Sequence, residues 1–153
     1  MKQETILTVL KEIKNILKNR LPIPNGILPQ KQSSSVRFIR NLDGTVTDKQ
    51  LNLIWYPTLP KHMTWEEAKK ECEKMGYRLP TTYELFSLVD INKYHPAIDK
   101  EVFPDTKTDD WYWTGDTCPW RSGRARFVGF DYGLVGGDSK GNCIYVRPVR
   151  FSQ

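Results

Sequence analysis

The stretch Thr64 to Asp90, TWEEAKKECEKMGYRLPTTYELFSLVD, constrains this chain more than any other part of it. Thr64 followed by Glu67 has the spacing of a capping box, in which each side chain satisfies a free backbone donor of the other residue. Trp65, Ala68, Cys72 and Met75 recur at helical spacing, so one face is apolar. Lys69, Lys70, Glu71, Glu73 and Lys74 fill the other face and read as a solvated surface with ion pairing. Gly76 can take the left-handed conformation that ends a helix. Thr81 and Glu84 then repeat the capping spacing. Leu85, Leu88 and Val89 give a second helix its buried side, with Asp90 at its end.

Strand patterns surround these two helices. Val36–Asn41 begins the domain as a strand, and Asp43-Gly44 marks a turn into Thr45–Thr47. Leu51–Tyr56 is a second apolar strand that stops at Pro57. Ile91–Thr108 reads as a long irregular connection pinned by Ile98 and Phe103. Trp111–Thr114, Ala125–Phe130 and Ile144–Arg150 complete the set, and Pro148 in the last implies an edge or a bulge. Residues 1–21 form an amphipathic pattern, with Ile6, Val9, Ile13 and Ile16 spaced three, four and three apart. That stripe fits packing on its own domain, a short helix bundle joining subunits, or a membrane-surface helix. Residues 22–35 carry three prolines and a serine run and read as a linker.

The order of these pieces resembles a known family. Thr64–Asp90 is flanked by Asp43–Asp48, Leu53-Ile54-Trp55, Pro96–Asp99, Phe103-Pro104, Trp111–Thr114 and Tyr145–Arg150. From about Phe38 to Arg150 the chain resembles the Lcl C-terminal domain family, a bacterial and phage group. The resemblance implies a C-type-lectin-like α+β domain over 36–153: two helices, a small, mostly antiparallel twisted sheet, and long loops. In secreted C-type lectins a cysteine on the first helix pairs with one near the C-terminal strand. Family members often carry that partner where this chain has Pro148, so the resemblance leaves Cys72 a buried free thiol.

No constellation for catalysis stands out. The only two histidines, His62 and His95, lie in loop-like contexts without zinc-ligand spacing. Asp109, Asp110 and Asp116 flank aromatics, a pattern that suits either cation binding or a plain exposed loop. Gly133–Gly141 resembles a phosphate loop only superficially, because Gly141 follows Lys140 where a Ser or Thr is required. Formylglycine-generating enzymes share the implied fold, but Cys118 and Cys143 do not reproduce their closely spaced reactive pair. The calcium and sugar motifs of true C-type lectins are missing as well. Three cysteines, an odd number, argue against a full disulfide framework. The expectation is therefore a non-enzyme with no cofactor and no metal.

Trp111 to Cys143 carries the binding chemistry. The chain is 12% aromatic with five Trp, and Trp, Tyr and Arg are the residue types that dominate hot spots. Tyr112 or Trp113, Phe127 and Phe130 are expected in the core. The expected ligand face comprises Trp111, Trp120, Arg121, Arg124, Asp131, Tyr132, Asp138, Ser139, Asn142 and Cys143. Some members of the resembled family are target proteins of diversity-generating retroelements, in which copying alters adenines and Asn codons become many residues. Here Gly136, Gly137, Asp138, Ser139, Gly141, Asn142 and Cys143 are all reachable from an Asn codon, just before Tyr145–Arg150. A plain Gly/Asp/Ser/Asn turn explains the same residues, and both readings stay open.

The formal net charge of +5 allows weak attraction to nucleic acid, acidic glycans or anionic membranes without choosing among them. The expected partner is a protein or glycan ligand, with nucleic acid disfavoured and a homo-oligomer formed through the N-terminal helix. No apolar run is long enough to span a bilayer. Lys and Arg interrupt the first residues, so no signal-peptide core is visible. The expected location is the cytoplasm, or a virion if the gene is phage-encoded.

Overall fold

The computed structural model describes Lys11 and residues 36–153. Lys11 apart, the helix expected over 1–21 and the linker over 22–35 lie outside the described residues, as does the oligomer expected through that helix. Described from Val36 onward, the chain runs β1 (Phe38–Arg40), β2 (Val46–Asp48), β3 (Leu53–Trp55), α1 (Trp65–Lys74), α2 (Thr82–Phe86), β4 (Trp111–Thr117), β5 (Arg124–Gly129), β6 (Leu134–Ser139) and β7 (Val149–Phe151). The α+β class is as expected, but the single small sheet is corrected to two. One has the strand order β1-β2-β3-β7, and the other β4-β5-β6. All of their pairings are antiparallel.

Both capping boxes form. Thr64 N–H donates to Glu67 Oε2 at 2.9 Å, and Glu67 N–H returns to Thr64 Oγ1 at 3.4 Å. Thr81 N–H donates to Glu84 Oε2 at 2.8 Å. Glu84 also receives both guanidinium nitrogens of Arg78 at 2.7 Å, which ties α2 to the segment before it. Helix α2 is shorter than the sequence pattern implies. It ends at Phe86, and Val89 instead bridges Ile98 in the long connection. The Asp43-Gly44 turn forms as expected, with Asp43 accepting from Thr45 N–H at 3.0 Å and Gly44 at φ 83.

Two further expectations need correction. Residues 136–139, for which one reading is a Gly/Asp/Ser/Asn turn, belong instead to strand β6, paired with β5 from Arg124↔Ser139 to Gly129↔Leu134. Their composition disfavours a strand, yet the neighbours demand small residues there. A Cβ at Gly136 would lie 2.3 Å from Phe127 Cζ, and one at Gly137 would lie 2.5 Å from Cys118 Sγ. Ile144–Arg150 is not one continuous strand either. Ile144 bridges Met63, Tyr145 bridges Tyr112, and a ladder resumes only at Val149 beside β3. Pro148, which has no N–H to give a ladder, sits at that junction and accepts from Tyr56 N–H at 2.9 Å.

Sheet β4-β5-β6 separates two cores. Tyr112, Val128 and Phe130 pack with Trp55, Leu85 and Val149 on one side. Trp113, Ala125 and Phe127 pack with Trp65, Ala68 and Cys72 of α1 on the other. Successive residues of a strand point to opposite faces, so Tyr112 and Trp113 each anchor a different core. Two indole hydrogen bonds lock α1 and its entry to the sheet. Trp65 Nε1–H donates to the Thr114 carbonyl at 2.8 Å, and Trp113 Nε1–H to the Met63 carbonyl at 2.9 Å. Phe127 and Phe130 are buried as expected, and where one of Tyr112 and Trp113 is expected in the core, both are buried. Cys72, Cys118 and Cys143 are free thiols, the first two buried and the third exposed.

Candidate functional site

The expected ligand residues do not converge on one point. The register of β5 with β6 places them at the two ends of one sheet. Arg124 faces Ser139 at one end, and Gly129 faces Leu134 at the other. Five residue steps along the strand separate these pairs, a span of about 17 Å at the usual rise.

At the first end lie Trp120, Arg121, Arg124, Asp138, Ser139, Asn142 and Cys143. Arg121, Gly123, Arg124, Asp138 and Ser139 line a cavity of about 300 Å³. The Arg124 guanidinium is partly committed, because its Nη2 donates to the Gly137 carbonyl at 2.7 Å. Asp138 is committed too, accepting from Asn142 Nδ2 at 2.9 Å and from Ser139 N–H at 2.8 Å. Arg121 makes no side-chain hydrogen bond or ion pair among the described residues and is exposed. The Trp120 ring is 66% exposed, and the Arg126 guanidinium lies 5.1 Å from its centroid.

At the second end lie Trp111, Asp131 and Tyr132. They share a cavity of about 230 Å³ with Asp109, Asp110 and Leu134. Trp111 stacks on Phe127 with ring centroids 4.3 Å apart and planes 10° from parallel. Gly129 makes that possible, since a Cβ there would come within 3.1 Å of Trp111 Cδ1. Asp131 pairs with His95 Nδ1, and His95 meets the Tyr132 ring edge-on at 4.4 Å. Asp110 Oδ2 lies 3.1 Å from His62 Nε2, and Asp110 Oδ1 accepts from Trp111 N–H at 2.7 Å. The two histidines are exposed, as loop histidines should be, but each orients a carboxylate of this one cavity. The histidine–aspartate pairs join residues far apart in sequence, so no local spacing signals them. Sequence reading flags Asp109, Asp110, Trp111, Asp131 and Tyr132 of this arrangement, but neither histidine.

No histidine, cysteine, aspartate or glutamate cluster among the described residues has the geometry to hold a metal ion. No described helix is long and apolar enough to cross a membrane. The two ends differ in chemistry: guanidinium and indole at one, carboxylate and aromatic rings at the other.

No curated protein and no solved structure matches the chain. The family model of the Lcl C-terminal domain matches residues 44–150. That span opens at the glycine of the β1–β2 turn and ends inside β7, so it takes in both helices, the β4-β5-β6 sheet and both cavities. With its model matched over most of the chain, and over every element but β1, the Lcl C-terminal domain family is the family to which this protein belongs.

Proposed function

We propose that the domain is a non-catalytic recognition module with a C-type-lectin-like scaffold, whose ligand face is formed by sheet β4-β5-β6 and its loops. The observation that carries this reading is the exposure of three large aromatics. Trp111, Trp120 and Tyr132 are 40%, 66% and 61% exposed, while Tyr112, Trp113, Phe127 and Phe130 of the same region are buried. Exposed Trp and Tyr beside Arg is the composition of interface hot spots.

In this reading the chain is the target protein of a diversity-generating retroelement. The run Gly136–Cys143 before Tyr145–Arg150 supports it, and steric constraint narrows it. Gly136 and Gly137 have no room for a side chain. Diversity falls instead on Asp138, Ser139, Gly141, Asn142 and Cys143, which lie at the rim of the first cavity or just beyond it. Small polar residues suit such a rim because they give adaptable hydrogen bonds at low entropic cost. Oligomerisation through residues 1–21 belongs to the same proposal, since several copies raise avidity for a repeated target.

A fixed phage-tail or adhesin module that binds acidic glycans is the second reading. The cavity containing Arg121 and Arg124 favours it, and strong salt dependence of binding would mark it. Glycan and protein arrays probed with the full chain and with Trp120→Ala and Tyr132→Ala test the shared premise. The proposal expects at least one ligand lost in one of the variants. If every ligand found is bound equally by all three proteins, the proposal is overturned. Sequencing around the gene separates the two readings. A near-copy of the Trp111–Arg150 coding segment, differing only at adenines and lying beside a reverse transcriptase, is expected for the first and contradicts the second.

A further inference from the structure

The cavity at the Trp111–Tyr132 end runs against the charge of the whole chain. The protein has 23 Lys and Arg against 18 Asp and Glu, yet this cavity is lined by Asp109, Asp110 and Asp131 and by no Lys or Arg. Two of its lining side chains, Trp111 and Tyr132, are aromatic, and each rests against another ring. Trp111 is held by its stack on Phe127, and Tyr132 by the edge of His95. An aromatic face carries the negative side of the ring quadrupole and attracts organic cations, most strongly where water is excluded. Rings and carboxylates here point to the same class of ligand by independent means.

The carboxylates are unequally engaged. Asp110 is oriented by His62 and by Trp111 N–H, and Asp131 by His95. Asp109 makes no hydrogen bond or ion pair among the described residues. The cavity thus has two carboxylates held in place and a third free to pair with a ligand. At about 230 Å³ it is smaller than the ~300–1,000 Å³ pockets that enclose a drug-sized molecule, so it admits one group of a larger partner. A hard metal ion, which prefers a shell of oxygen ligands, gains nothing from an indole face. An alkylated ammonium or a planar guanidinium does gain from one.

We infer that this cavity binds the ammonium or guanidinium head group of a lysine or arginine side chain on a protein partner. The inference rests on the reading of this surface as a recognition face and names the ligand chemistry of one of its two ends.

The test is an NMR titration of the isotope-labelled full chain. The probes are N-acetyl-lysine amide, N-acetyl-arginine amide, choline and the uncharged N-acetyl-norleucine amide, all at one ionic strength. The expected result is a shift of the Trp111 indole N–H by the lysine and arginine probes. Their saturation should be roughly fivefold or more tighter than that of norleucine amide. Asp109→Asn, an exposed change that leaves the fold intact, should weaken both probes without moving resonances of the buried core. Equal responses to norleucine amide, or undiminished binding by Asp109→Asn, would overturn the cation site. Choline binding as tight as the amino-acid amides would overturn the side-chain source in favour of a free quaternary amine. If the probes fail while an array ligand is still lost in Trp120→Ala, this inference alone falls. If no loop variant affects any ligand, the recognition reading beneath it falls as well.

Discussion

The Asp105 carboxylate lies 3.0 Å from Nη2 of Arg147, a guanidinium only 1% exposed. The same nitrogen donates to Thr58 Oγ1 at 2.7 Å and Thr106 Oγ1 at 2.9 Å. One side chain therefore fastens the exit of β3, the long connection before β4 and the approach to β7. It also supports the β4-β5-β6 sheet, because the Tyr112 hydroxyl lies 3.3 Å from the same Thr58 hydroxyl. Removing one partner of a buried pair costs about 3–5 kcal/mol when both are deeply buried. Asp105 is 37% exposed, so water screens part of the loss. Asp105→Asn is expected to destabilise the domain by about 2 kcal/mol in urea unfolding. Arg147→Met, which removes the buried charge itself, is expected to cost less than Arg147→Ala, which also leaves a cavity.

The pair also sets a pH dependence. Burial pushes the Asp105 carboxyl up, but the Arg147 guanidinium and the Thr58 hydrogen bonds outweigh it, so the group sits below the usual carboxylate range. A depressed folded value means that the stabilisation is complete above the ordinary carboxyl value of about 3.9 and is lost as pH falls through the folded value. Stability curves of the wild type and Asp105→Asn should converge as the pH drops below about 4. A constant gap from pH 7 to pH 2 would show that the carboxylate charge contributes nothing.

The sequence made the scaffold legible where the signal is local. Thr64 with Glu67 and Thr81 with Glu84 are three apart, and Asp43 with Thr45 across the Asp43-Gly44 turn are two apart; each contact forms as its spacing implies. Strand β6 was illegible because its cause is not local. Gly136 and Gly137 carry no strand propensity and are selected by Phe127 and Cys118, which the chain brings in from other strands and loops. The candidate face was half legible. Residue type picked out Trp111, Trp120 and Tyr132 as surface aromatics, but nothing in the sequence shows that β5 and β6 hold them at opposite ends of one sheet. For His62 and His95 the sequence shows only loop-like contexts, since only tertiary folding brings each to its aspartate.

Thiol reactivity separates the three cysteines. Burial, with smaller help from Glu71 and Glu73, pushes the Cys72 thiol up to about 12. The thiolate is the reactive form, so Cys72 is almost wholly inert at neutral pH while the domain is folded. Cys118 is buried and Cys143 exposed. Iodoacetamide at pH 8 is expected to modify Cys143 first and alone, as read by peptide mass spectrometry. The other two should react only after denaturant is added. Modification of Cys72 in the native protein would mean that α1 opens away from the sheet far more readily than its Trp65 and Cys72 packing implies.

Gly136 offers the sharpest test of how the proposed face divides into fixed and variable parts. A methyl group there meets the end of the Phe127 ring at 2.3 Å. The ring cannot swing aside freely, because its other contacts include Trp111, stacked at 4.3 Å. Overpacking of this kind costs about 1–3 kcal/mol. Gly136→Ala should therefore lower stability by that amount and also change Trp111 fluorescence, since the strain passes through Phe127. Ser139→Ala and Asn142→Ala lie at exposed positions of the rim and should shift stability by no more than about 0.5 kcal/mol. If Gly136→Ala is as stable as the wild type with an unchanged Trp111 signal, the floor of the face is not fixed. Gly136 would then be open to a side chain, while Gly137 stays closed off by Cys118 Sγ, 2.5 Å from where its Cβ would lie.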